Sequence, residues 1–170
     1  MKRRLLITTL LVVGIQCHCS AQMAKFKALF VYNFAQNTNW SGEVTTNDDF
    51  IITIIGDNDI ANELKTLAGS RKIGINKMVI KETSTVDNVG KSQIIYLSEN
   101  HSSQMPILTS YQKNNKVLII GNQQGICSQG AGISFIIDEG KLKFEISPDN
   151  IEKQGLTISK KIISLGVQVN

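Results

Sequence analysis

The sequence predicts an α/β fold: a single domain with a mostly parallel sheet flanked by helices, extended by a C-terminal antiparallel hairpin. Three observations carry that prediction. Short apolar runs at Phe50–Ile55, 92–97 and 116–120 alternate with segments of helical spacing, as in βαβ units. Two period-2 runs flank Glu139-Gly140, the pattern of a hairpin with one apolar face. With 170 residues, 42% of them hydrophobic and 19% charged, the chain is long and apolar enough for one real core.

The elements follow in order. Residues 23–39 read as a helix, with Phe26, Leu29, Phe30 and Phe34 at helical spacing and Tyr32 and Trp40 adding to the aromatic load. Core packing is the expected use of these rings, and an aromatic partner groove is the functional alternative. Residues 43–49 are a polar loop. Phe50–Ile55 is a strand buried on both faces, ending at Gly56-Asp57-Asn58-Asp59. A helix over 60–68 follows, capped by Asn58 or Asp59, with Leu64 and Leu67 turned inward. Residues 77–81 form a short strand, 85–89 a helical turn, 92–97 a strand, 104–113 a helix and 116–120 a further strand. Residues 121–132 are a glycine-rich loop. It lacks a Gly-Lys-Ser/Thr ending and precedes a strand, so it is read as a connection and not as a phosphate cradle.

In the hairpin, Ile133, Phe135 and Ile137 supply one apolar row and Leu142, Phe144 and Ile146 the other. The polar partners on the second strand leave a face for water or a partner. Ser147-Pro148-Asp149 is a helix start, with serine as cap and proline in the first turn. Gly155 stops that helix. A last helix over 159–165 opens on Ser159 and turns Ile162, Ile163 and Leu165 inward.

The N-terminus has the three parts of a secretory signal: Lys2-Arg3-Arg4, an apolar run over 5–15, and Cys19-Ser20-Ala21 as cleavage site. The run is shorter than the roughly 20 residues a membrane span needs. The organisation expected is a signal peptide over 1–21 and an exported domain over 22–170 with no membrane insertion of its own. Without its three leader charges, the chain's 18 basic residues become 15 against 14 acids, so the net charge of +4 falls to about +1. That is no footprint for nucleic acid. Cys17 and Cys19 leave with the leader, so only Cys127 remains, and one thiol neither staples a fold nor builds a cysteine metal site. His101 is the one histidine left, in a polar stretch with no nucleophile elbow. Asp57 and Asp59 stand at the carboxyl end of a strand, where α/β sheets bind ligands. Helix capping is the expected use of that turn, and a divalent cation the alternative. No catalytic residue, metal or cofactor is assigned.

The residues 27–34, Lys-Ala-Leu-Phe-Val-Tyr-Asn-Phe, followed by Trp40, resemble the N-terminal helix signature of the YfiR-like bacterial periplasmic proteins. Gly56-Asp57 after a buried strand resembles their next marker. Gly130-x-Gly132-Ile133-x-Phe135, then Lys143-Phe144-Glu145-Ile146, then Gly155-Leu156-x-Ile158-Ser159 resemble their C-terminal signature in order and spacing. The resemblance implies a non-enzymatic α/β regulator in the periplasm. Such a regulator binds the sensor portion of an inner-membrane diguanylate cyclase and represses it, so that release raises cyclic di-GMP and promotes biofilm. Two departures stand out. Many relatives carry a cysteine entering the strand that here begins at Ser92, together with disulfides that tune the regulator, and this chain lacks that control. Ser41 follows Trp40 where proline is usual.

The first functional expectation is therefore a regulatory binding module held against a membrane signalling protein, a diguanylate cyclase or a sensor kinase, with homodimerisation left open. Tyr32, Trp40, Asp57, Phe144 and Glu145 are its candidate partner- or ligand-binding residues. The alternative is a small-molecule sensor or solute-binding protein feeding a sensor kinase, with a pocket near Gly56-Asp57.

Overall fold

The computed structural model describes residues 21–40, 48–113 and 115–170. All but the last residue of the leader expected over 1–21 and most of the loop expected over 43–49 lie outside the described residues.

Helix α1 spans residues 21–37 and runs into a two-residue strand, β1 (Thr38–Asn39). The order is then β2 (Phe50–Ile55), α2 (Asn58–Ala68), β3 (Lys72–Ile73), β4 (Asn76–Thr83), β5 (Ile94–Leu97), α3 (Met105–Tyr111) and β6 (Leu118–Gly121). The C-terminal part holds β7 (Ile133–Asp138), β8 (Lys141–Ile146), α4 (Pro148–Lys153), β9 (Thr157–Ile158), α5 (Lys160–Leu165) and β10 (Val167–Gln168). The main sheet has eight strands in the order β10-β8-β7-β6-β5-β2-β4-β3. β4, β2, β5, β6 and β7 run parallel, β8 is antiparallel to β7, and β10 is parallel to β8. A separate two-stranded antiparallel sheet joins β1 to β9. The predicted α/β architecture and its hairpin are thus what the chain forms.

Continuous apolar strands are buried on both faces because each face carries its own core. Ile94, Tyr96, Leu118 and Ile120 point into one core with Phe34 of α1 and Leu64 of α2. Ile95, Leu97, Val117 and Ile119 point into the other, against Met105 and Leu108 of α3. The first core holds an aromatic cluster. Phe34 meets Phe144 edge-on at 5.0 Å between ring centroids, and Phe30 meets it at 5.7 Å. Such pairs add about 0.5–1.5 kcal/mol beyond burial. The helical aromatics expected to pack do so, except Phe26, which is 44% exposed.

The hairpin turn is tight. Glu139 at φ 50° and Gly140 at φ 73° both adopt the left-handed conformation a two-residue turn requires. Ser147 caps α4 by accepting from the Asn150 amide at 3.3 Å, and Gly155 ends the segment at φ 73°.

Several boundaries differ from expectation, each for a local reason. α2 is capped by Asp57, not by Asn58 or Asp59: its Oδ1 accepts from the Ile60 amide at 3.1 Å, which starts the helix earlier. The strand expected over 77–81 runs on to Thr83, because all of β2 pairs with it, and it folds back on β3. The helix expected over 104–113 is a 3₁₀ turn at Glu99–Gln104 followed by a shorter α3. Leu165, expected inward, is 64% exposed: α5 is six residues long and ends before a second inward turn.

Candidate functional sites

The winding of the sheet reverses at β2, which has β4 on one side and β5 on the other. Their carboxyl ends diverge there, the place where open α/β sheets form ligand crevices. A cleft of about 580 Å³ opens at that point, lined by Gly56, Asp57, Asn58, Asp59, Ser98 and Glu99 among others. Asp57 is committed on both oxygens: Oδ1 caps α2, and Oδ2 accepts from the Tyr96 hydroxyl at 3.2 Å. Burial, and then the Asp57 carboxylate, push the Tyr96 phenol well above its ordinary value, so it stays a donor. Lys27 approaches from α1. Burial lowers its pKa, while Asp57 and Glu99 oppose that shift. Ser98 Oγ lies 2.9 Å from His101 Nδ1, and the imidazole packs where a Cβ on Gly56 would sit, at 2.3 Å. Gly56, at φ 73°, therefore cannot be replaced without moving His101. Among the described residues no group of three or more His, Cys, Asp or Glu side chains could hold a metal ion.

The sequence pointed to this edge through Gly56-Asp57 and to its pairing with helix capping. It did not reveal Lys27, Tyr96 or the Ser98–His101 pair. Lys27 lies on another element, Tyr96 was hidden inside an apolar run, and only the Ser-x-x-His spacing could have hinted at the pair.

Tyr32 and Trp40 sit elsewhere, toward the opposite end of β2. The Tyr32 hydroxyl donates to the Lys72 carbonyl at 3.4 Å and accepts from Gln36 Nε2 at 2.9 Å. The Arg71 guanidinium lies 5.2 Å from its ring centroid, a cation–π distance. The Trp40 indole donates to the Ala35 carbonyl at 2.8 Å and meets Phe50 edge-on at 5.0 Å. Trp40 lines a second cleft of about 310 Å³ with Gln36, Ile73 and Asn76. β2 is six residues long, so this cleft and Asp57 are separated by about 20 Å of strand.

Phe144 and Glu145 lie in a third place and are buried. Phe144 is in the aromatic core. Glu145 points to the other face, where its Oε2 accepts from the Gly125 amide at 2.7 Å and so holds the loop between β6 and β7. Burial and the neighbouring Glu145 push the Cys127 thiol of that loop up to about 12. The five candidate residues thus fall in three separate places.

Known proteins sharpen this picture. Among solved structures, the fold is similar to a conserved domain protein from Vibrio cholerae O1 biovar eltor, with 16% identity, a TM-score of 0.56, and coverage of 86% of this chain and 60% of that one. It is also similar to the ABC domain in complex with L-Trp from Streptococcus pneumonia, with 12% identity, a TM-score of 0.53, and coverage of 72% of this chain and 56% of that one. The chain spans less than two thirds of either structure's length, and identities this low speak for the fold alone. No curated protein matches the sequence. Among the described residues no helix is long and apolar enough to cross a membrane. A family model matches residues 24–167, nearly the whole of the described chain, and this protein belongs to the YfiR/HmsC-like family.

Proposed function

We propose that this protein is a non-enzymatic periplasmic regulator. It docks on the sensor portion of an inner-membrane signalling protein, a diguanylate cyclase, and holds that enzyme inactive. Family membership over residues 24–167 is the observation that carries the reading. The chemistry of the candidate sites supports it: the Asp57 carboxylate is taken up by the α2 cap and the Tyr96 hydroxyl, and Glu145 by the Gly125 amide. These are groups that hold a shape, and a shape is what a docking protein offers. Tyr32 and Trp40, half-buried and fixed through their polar ends, are suited to anchor a partner at the amino end of β2. The test is deletion of the gene with measurement of cellular cyclic di-GMP, and co-purification from solubilised envelope. A rise that wild-type protein reverses, with a membrane cyclase retained on the bait, is expected. Unchanged cyclic di-GMP and no membrane signalling protein retained would overturn it.

A second reading, a sensor of small solutes for a membrane kinase, is favoured by the cleft at the carboxyl end of β2 and β5. The Streptococcus relative in fold carries L-Trp. Calorimetry of the purified protein against free amino acids separates the readings: heat lost on Asp57→Asn would favour the sensor.

A further inference from the structure

The main sheet ends on a short strap. β10 pairs with β8 only at Glu145 and Ile146. The Val169 amide donates to the Ile146 carbonyl at 2.9 Å, so the backbone groups of Ile146 face away from β7. Backbone direction alternates along a strand, so Leu142, four residues earlier, also faces outward. No described strand pairs with β8 on that side between Lys141 and Lys143. An unpaired edge is a template for another extended chain.

The side chains around this edge define what fits. Leu142 is half-buried, and its cross-strand partner Ile137 is 56% exposed. Exposed Leu165 precedes the strap and exposed Val167 opens it. On the opposite face of β8, Lys141 and Lys143 project, Lys143 in a surface pair with Asp138 at 2.6 Å. The edge is therefore apolar on one face, and on the other, two lysines share one acid, Asp138, which leaves a surplus of positive charge. A second copy of β8, laid antiparallel with Leu142 opposite Leu142, would set Lys141 against Lys143, and like charges directly opposite destabilise a sheet.

We propose that the free edge of β8 is the docking strip for the regulated partner, which adds an extended segment with apolar residues alternating with acidic ones. The segment's backbone pairs with Leu142, its apolar side chains lie with Leu142 and Ile137, and its carboxylates meet Lys141 and Lys143. This rests on the regulatory reading and adds, apart from the Tyr32 and Trp40 anchor at the amino end of β2, a second contact and the chemistry by which it holds the partner.

The probe is a synthetic peptide of alternating valine and glutamate, compared with its valine–lysine counterpart and a version with a central proline. Binding to the protein purified from the envelope is followed by fluorescence anisotropy and amide hydrogen exchange. The acidic peptide is expected to bind and slow exchange at the Leu142 amide, while the other two do not. K141E/K143E is expected to weaken it at least tenfold. L142P removes an outward amide but no bond to β7, and is expected to abolish binding. The double lysine variant, at partly exposed positions, keeps the test decisive should L142P not fold. No binding at millimolar peptide, equal affinity for both charges, or protection elsewhere overturns the proposal. So does protection of Leu142 without peptide that grows with protein concentration, which would make a second copy the occupant. The peptide experiment needs no natural partner, so it decides the strip even if the regulatory reading fails. Conversely, a membrane cyclase retained equally by wild type and K141E/K143E keeps that reading and overturns the strip.

Discussion

Asp57 shows how much one residue can hold. Its carboxylate starts α2 and receives the buried Tyr96 hydroxyl, so removing it leaves an uncapped helix and an unpaired phenol. A lost cap costs about 0.5–2 kcal/mol, and an orphaned buried donor about 1–3 kcal/mol. Asp57→Ala is therefore expected to destabilise by about 2–4 kcal/mol, and Asp57→Asn by less, because its amide oxygen still caps; urea unfolding measures both. Glu139 is the opposite case, a non-glycine residue at φ 50° in the turn between β7 and β8. Left-handed backbone costs such a residue about 1–2 kcal/mol. Glu139→Gly should recover part of that and raise Tm by about 2–4 °C. Cys127 is the third case. With its thiol raised from 9.0 to about 12, almost no thiolate exists at pH 8, and the side chain is buried. Labelling by a thiol reagent at pH 8 should be slow in the folded protein and rapid in urea. The folded state favours the protonated form, so this group's stabilisation is full below pH 9 and is lost as pH rises toward 12. Cys127→Ala should flatten that part of the alkaline stability profile.

Among elements, the strands with strong side-chain patterns were legible and the very short ones were not. Phe50–Ile55 is apolar at every position but Thr53 because both faces are covered, and its bounds could be read directly. The hairpin was visible because one face of each strand meets the aromatic core, which imposes period 2. β1, β3, β9 and β10 have two residues each, too few to show any period, and tertiary pairing creates them. The strap illustrates this. Gly166 leads into β10 so close to the core that a Cβ there would lie 2.5 Å from Phe144 Cε2. Gly166→Val should therefore push β10 off β8, leave the central sheet folded, and speed exchange at the Val169 amide, which hydrogen-exchange mass spectrometry can read.

At the scale of the molecule, the candidate site was only half legible, because a site assembled from distant elements leaves no local pattern. Gly56-Asp57 announced the carboxyl edge of β2, but Lys27 comes from α1, and Tyr96 points to that edge only because β5 lies beside β2. Phe144 and Glu145 looked available because alternation along β8 shows two faces without showing that the loop between β6 and β7 covers one of them. The same layering ranks stability across the molecule. β5 and β6 are buried at every residue and carry both cores, whereas β10 is exposed at both residues. Amides open in cooperative units whose free energies follow buried contact, from near zero at margins to the global value in a core. Exchange should thus be slowest in β2, β5 and β6, intermediate in β7, and fastest among strands in β3 and β10. That order places the mobile margin at the β8 edge and the rigid part at the sheet centre. A partner could then exchange with the strap without unfolding the domain. Exchange in β10 as slow as in β5 would mean that the strap is part of the rigid unit and that a partner strand can add only along Lys141–Lys143, never in place of β10.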